Sequence, residues 1–139
     1  MSITVDEKLA VHELLARGSY AYDERNLELL EDCFAPDSSL TMRIAGGDLI
    51  GPFDGREAIM GLMSGSMAQQ TDVRRHVISN IFFDESAPAP TVISFLTLIA
   101  TENEETRLLS TGVYRDTVAA DESGRWRIVR RHIELDNGY

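Results

Sequence analysis

The sequence changes period once, and that change constrains the fold more than any other feature. Up to Thr71 apolar residues recur mainly at helical spacing; after it they alternate. Four long extended patterns follow, at about Asp72–Asp84, Thr91–Thr101, Arg107–Ala119 and Arg125–Leu135. Their connections are short: Ala87-Pro-Ala-Pro90, the charged Glu102-Asn-Glu-Glu105, and Asp121-Glu-Ser-Gly124. Connections of that length imply antiparallel neighbours. Helices followed by a run of long antiparallel strands is an α+β pattern.

The first half supplies the covering layer. Val5 to about Asp23 reads as a helix that Thr4 or Ser2 can cap, with Asp6 and Glu7 at its positive end. A second helix is expected from about Leu27 to Phe34, stopped by Pro36. Ser39 to Ile44 and Asp48 to Pro52 read as short strands around Gly46-Gly47. Asp54-Gly-Arg-Glu57 has capping-box form and opens a third helix to Gln69. That helix carries Met60, Met63 and Met67, which suit either an adaptable wall or ordinary packing. The strand Val92-Ile-Ser-Phe-Leu-Thr-Leu-Ile-Ala100 is apolar on both faces. One set of helices covers only one face, so the other is expected to lie against another copy of the chain, in a homodimer or homotrimer.

Composition narrows the function. A chain of 139 residues suits a single domain spanning 1–139. Its formal net charge of −10 argues against nucleic acid or an anionic membrane as partner. No apolar run is long enough to span a bilayer, and MSITVDEKLA lacks the form of a signal peptide, so a cytoplasmic location is expected. A single cysteine, Cys33, rules out an internal disulfide and offers no metal cluster. There is no phosphate loop, zinc spacing or nucleophile elbow, and no cofactor is expected.

The candidate chemistry sits at the end of the first helix. Asp6, Glu13, Arg17 and Glu24 form its polar stripe, whereas Leu15, Ser19, Tyr22 and Asp23 fall on the other side. A carboxylate on a buried face must be paired, hydrogen-bonded or protonated. On the strand Arg74–Phe83, strict alternation points His76, Ile78, Asn80 and Phe82 one way. If that face meets the helix, Asp23 and His76 form a pair. The carboxylate would fix the imidazole tautomer and stabilise its protonated form, so that His76 could act as a general base. The bland alternative is a helix cap and a satisfied sheet histidine. His12 and His132 read as packing or solvated residues, Trp126 as core, and Arg74-Arg75 and Arg127 to Arg131 as salt-bridged surface. Ser110 and Tyr114 share a strand face, and either could reach a pocket.

The order and spacing of several segments resemble a known family. These are Leu14-Leu-Ala-Arg-Gly-Ser-Tyr-Ala-Tyr-Asp23, Asn26-Leu-Glu-Leu-Leu-Glu-Asp-Cys-Phe-Ala-Pro-Asp37, Gly51-Pro-Phe-Asp-Gly-Arg-Glu57, Arg75-His-Val-Ile-Ser-Asn80, Gly112-Val-Tyr-Arg-Asp116 and Gly124-Arg-Trp-Arg-Ile128. Together they resemble the SnoaL-like branch of the nuclear-transport-factor-2-like superfamily, over almost the whole chain. The resemblance implies a cone-shaped, cystatin-like α+β barrel, with three N-terminal helices on a strongly bent antiparallel sheet around a deep apolar pocket. Tyr22-Asp23 is similar to the Tyr-Asp pair of scytalone dehydratase, and His76 to the histidine that pairs with that Asp there and in hexachlorocyclohexane dehydrochlorinase. The dehydratase's first-strand tyrosine falls at Met42, its second histidine near Leu96 and its asparagine at Ser110. The aromatic residue that relatives often carry five before the Asp is Gly18.

The expected function is therefore a small cofactor-free lyase or isomerase (a dehydratase, double-bond isomerase or cyclase) acting on an apolar, cyclic small molecule. His76 and Asp23 would be catalytic. Tyr22, Asn80 and Ser110 would bind substrate polar groups, with Met63, Phe82 and Leu96 bordering the cavity. The alternatives are a non-catalytic subunit resembling a ring-hydroxylating dioxygenase β subunit, or a small-ligand-binding protein.

Overall fold

The structure, a computed structural model, describes residues 2–139. It opens with α1 (Val5–Asp23) and α2 (Leu27–Asp32). β1 (Phe34–Ile44) and β2 (Ile50–Asp54) come next, followed by α3 (Arg56–Gln69). β3 (Val73–Phe83), β4 (Thr91–Glu102), β5 (Glu105–Ala120) and β6 (Trp126–Leu135) complete the chain. The α+β class holds. The expectation of three N-terminal helices holds only in part, because β1 and β2 separate α3 from the first two.

Each helix start has a local cause. Thr4 caps α1 in a capping box: its hydroxyl accepts from the Glu7 amide at 3.1 Å and the Glu7 carboxylate accepts from the Thr4 amide at 3.0 Å. Asn26 caps α2 through the Leu29 amide. The capping box expected at Asp54 is absent. Asp54 ends β2, and Gly55, at φ +90°, takes the cap position without a side-chain bond.

The second helix stops two residues before the expected end, because Phe34 leaves it to pair with Ile128 of β6. Pro36 then lies inside β1 rather than ending a helix. It falls in the break between the Phe34↔Ile128 and Ser39↔Arg130 pairs, where the missing amide interrupts no ladder.

All six strands form one sheet in the order β2-β1-β6-β5-β4-β3. Consecutive strands from β3 to β6 are antiparallel, as their short connections require. β1 and β6 run parallel, a pairing of distant segments with no local signature. The sheet is not closed into a barrel: β2 and β3 remain its edges. α1 packs on β3 and β6, and α3 on β1 and β2. The main core gathers Val11, Leu14, Leu15, Phe34, Ile59 and Ile128 between the layers. A smaller cluster of Met42, Leu96, Leu98, Tyr114 and Leu135 lies further along the same sheet face. Among the described residues no helix is long and apolar enough to cross a membrane.

Two register shifts decide which side chains face the helices. In β3 the pairing steps from Ser79↔Phe95 to Phe82↔Ile93, so one extra residue sits in β3 around Asn80. Asn80 has φ +54°, the left-handed region that asparagine tolerates. In β6 the pairing steps from Thr117↔Arg130 to Val118↔Ile128, leaving Val129 as the extra residue. Beyond each bulge the alternation is inverted.

Candidate functional site

The end of α1 meets β3, the condition on which the Asp23–His76 pair depended. Asp23 grips His76 twice: its Oδ1 lies 2.5 Å from His76 Nδ1, and its Oδ2 accepts the His76 backbone N–H at 2.7 Å. The Asp23 side chain is 6% exposed, so this carboxylate is sequestered with its partner. A carboxylate accepts, so Nδ1 is the donor and Nε2 carries the free lone pair. Tyr22 packs edge-on against the imidazole, with ring centroids 4.9 Å apart at 65°. The Tyr22 hydroxyl donates to Gln70 Oε1 at 3.2 Å, and burial pushes its pKa above the usual phenol value.

His76 lines a cavity of about 90 Å³ between the helices and the sheet. That is room for a small ring or several waters. Tyr22, Met63 and Leu96 border it, as expected. Gly18, Leu40, Met42, Leu98 and Ile133 contribute further wall, so the lining is mostly apolar. Gly18 opens space: a Cβ there would meet only the buried Cys33 Sγ, at 4.0 Å.

Three residues expected at the site stand elsewhere. Strict alternation from His76 would place Asn80 and Phe82 inward, but the bulge reverses the strand. Asn80 becomes the exposed bulge residue, and Phe82 turns to the outer face, 55% exposed. Ile81 and Phe83 pack against the core in their place. Ser110 is buried on the correct face, but it is consumed by structure: its hydroxyl donates to the Asn137 carbonyl at 2.7 Å, tying down the segment after β6. Residues of that segment reach the cavity, where Tyr139 joins the lining. The Tyr139 ring lies 5.6 Å from the Arg74 guanidinium.

The sequence reading missed two groups. Arg131 is not surface. The bulge at Val129 turns it inward, where its Nε and Nη2 donate to Asp116 Oδ1 and Oδ2 at 2.7 and 3.0 Å. Asp116 is fully buried, and the ion pair holds the guanidinium firmly protonated against its own burial. Arg131 also lies over the Tyr114 ring, 4.4 Å from its centroid. Arg74 is likewise buried, forked onto Asp72, and lines the cavity. The signal for Arg131 was its place opposite Asp116 across a hairpin, visible only once the bulge is known. Of the other basic residues of these runs, Arg75 pairs with Glu24 and Arg127 with Asp32. His132 bonds Thr41 and Glu134 away from the cavity, and His12 is exposed.

Tyr114 completes the constellation. It lines the cavity and is 6% exposed. Burial pushes the phenol up to about 12, so it stays a neutral donor across the ordinary pH range. Among the described residues, no group of three or more His, Cys, Asp or Glu is placed to hold a metal ion. The arrangement therefore offers a carboxylate-held imidazole, three tyrosines and two paired guanidiniums around a mostly apolar space.

The family model for the SnoaL-like domain matches residues 4–132. No curated protein matches the chain. Among solved structures it is similar to a protein of unknown function with a cystatin-like fold from Nostoc punctiforme, at 25% identity and TM-score 0.78, over 98% of this chain and 96% of that one. A protein from Catenulispora acidiphila, solved in complex with S-DNPA, is 26% identical with TM-score 0.78, over 92% of each chain. ActVI-ORFA from Streptomyces coelicolor shares the fold at TM-score 0.80 and 13% identity, over 99% of this chain and 100% of that one.

Proposed function

The chain belongs to the SnoaL-like domain family, and from that premise we propose that it is a small-molecule lyase or isomerase that uses His76 as a general base. The observation that carries this reading is the 2.5 Å contact of His76 Nδ1 with Asp23, in a histidine that also lines an apolar cavity. Nε2 removes a proton from carbon or oxygen of the bound molecule. Asp23 holds the ring in the required tautomer and supplies the counter-charge as imidazolium forms. The second bond, from the His76 amide to the same carboxylate, fixes the pair as a unit. The mostly apolar wall favours a compact, cyclic substrate. The similar Catenulispora acidiphila protein was solved in complex with S-DNPA, which supports a ligand-binding role for this fold. Dehydration, double-bond shift and ring closure all begin with the same proton transfer, so they share one base.

Solvent exchange tests the step without knowledge of the natural substrate. A panel of cyclic ketones incubated with the protein in deuterium oxide should exchange the proton next to the carbonyl, read by NMR. His76→Gln and Asp23→Asn should each lower the rate by about 10²–10⁴-fold, the range of general-base contributions. The double variant should lose little more than either single one, because the two side chains act together. Undiminished exchange in His76→Gln would remove the proposed base. Ligand binding without any exchange in the natural protein would identify a binding protein instead.

A further inference from the structure

Three basic side chains reach the cavity wall: Arg74, His76 and Arg131. Among the described residues, no Asp or Glu lines it. The chain as a whole has 23 acidic and 13 basic residues, so a wall of average composition would show carboxylates first. Each guanidinium does have an aspartate, as a buried charge requires: Asp72 pairs with Arg74 and Asp116 with Arg131. Ion pairing accounts for the burial. It does not account for the orientation, since in both pairs the cation borders the cavity and the carboxylate does not.

The two pairs are not equivalent. Arg131 is forked onto the fully buried Asp116 at 2.7 and 3.0 Å and lies over the Tyr114 ring. Arg74 is held less completely: its Nε donates to Asp72 Oδ1 at 2.8 Å, but Nη2 reaches Oδ2 only at 3.4 Å. A guanidinium carries five N–H donors, and this fork leaves Nη1 out of it. Arg74 also stands two residues before His76 on β3, and both line the cavity. Residues so spaced on a strand are about 6–7 Å apart, close to the span of one six-membered ring.

We infer that Arg74 is the anion-binding group of this cavity, and that the ligand is a small ring compound carrying a carboxylate. The inference rests on the reading of the cavity as the site served by His76, and it adds the charge of the molecule that enters. A carboxylate is planar and accepts bonds from a guanidinium edge, which a neutral ring cannot do. The mostly apolar wall makes that attraction stronger than it would be in open water. With the carboxylate on Arg74, the far side of a single ring comes to His76. The anion thereby fixes which carbon of the ring faces the imidazole.

The test compares each acid with a neutral amide of nearly the same shape: benzoate with benzamide, and cyclohexanecarboxylate with cyclohexanecarboxamide. Calorimetry at neutral pH should find at least one carboxylate bound by the natural protein about 10–100-fold more tightly than its amide, the range for hydrogen bonding to a charged group. Arg74→Gln should erase that preference and leave amide binding unchanged. Arg74→Lys keeps the charge without the fork and should retain part of it. His76→Gln should retain it in full, which separates the guanidinium from an imidazolium as the partner of the anion. Equal binding of acid and amide, binding of none of the four probes, persistence of the preference in Arg74→Gln, or its loss in His76→Gln each overturns the assignment. The natural protein alone can refute it, so the test does not depend on the folding of a variant. The base stands or falls separately: a retained preference together with undiminished proton exchange in His76→Gln would remove the base and leave the anion site.

Discussion

Gly18 occupies the interior of α1, where alanine is worth about 1 kcal/mol more than glycine. The added methyl would meet nothing closer than Cys33 Sγ at 4.0 Å, so no clash offsets the gain. Gly18→Ala is therefore expected to raise stability by about 0.5–1 kcal/mol in a denaturant titration. Because Gly18 lines the cavity, the same change should weaken binding of bulky ligands there. Tyr114 makes a prediction in pH. Burial raises its phenol from 10.0 to about 12, so between those values the unfolded chain releases a proton that the folded chain keeps. Stability from this group is full below about pH 10 and is lost as pH climbs toward 12. Alkaline unfolding should show a steeper decline over that window than in Tyr114→Phe. Tyr22, raised in the same direction by burial, adds to the background slope in both proteins.

At the scale of single elements, the bulges explain what sequence patterns convey and what they do not. Asp23 and His76 were legible because each lies on an unbroken stretch: Asp23 at the end of a regular helix, His76 before the first irregularity of β3. Tyr22, Met63 and Leu96 followed for the same reason. Asn80 and Phe82 were misplaced because period-two reasoning carries one inserted residue forward as an inversion of every later side chain. Arg131 was misread by the same mechanism in β6, and Pro36 because its pairing partner lies far away in sequence. Asn80 itself is open to test. Its φ of +54° suits asparagine or glycine and strains a β-branched side chain. Asn80→Gly should be close to neutral, whereas Asn80→Val should cost about 1–2 kcal/mol, measured by thermal unfolding.

For the whole molecule, the outer face of the sheet is the surface proposed for assembly. Val77, Phe82 and Phe95 are each more than two-fifths exposed there, and Ile93 and Ile99 alternate with Phe95 on the same face of β4. The helices cover only the opposite face. A homodimer through this surface, burying more than about 1,000 Å², is the expected outcome by light scattering at micromolar concentration. Phe95→Glu should shift it to monomer, and a monomeric mass for the natural protein would count against the interface. The sheet also has a temporal side. β6 lies between β1 and β5, and Thr41 meets His132 across 91 positions of chain. Pairings this distant form slowly, because the intervening loop must close before they contribute. β6 carries Arg131, Ile133 and Leu135 into the cavity wall. During synthesis, a chain whose residues 126–135 are still inside the ribosome holds Asp23 and His76 but lacks one whole side of the chamber they serve. Until that last strand slips between two others already made, the growing chain displays the apolar inner edges of both, and this interval is when it is most exposed to mispairing with its neighbours.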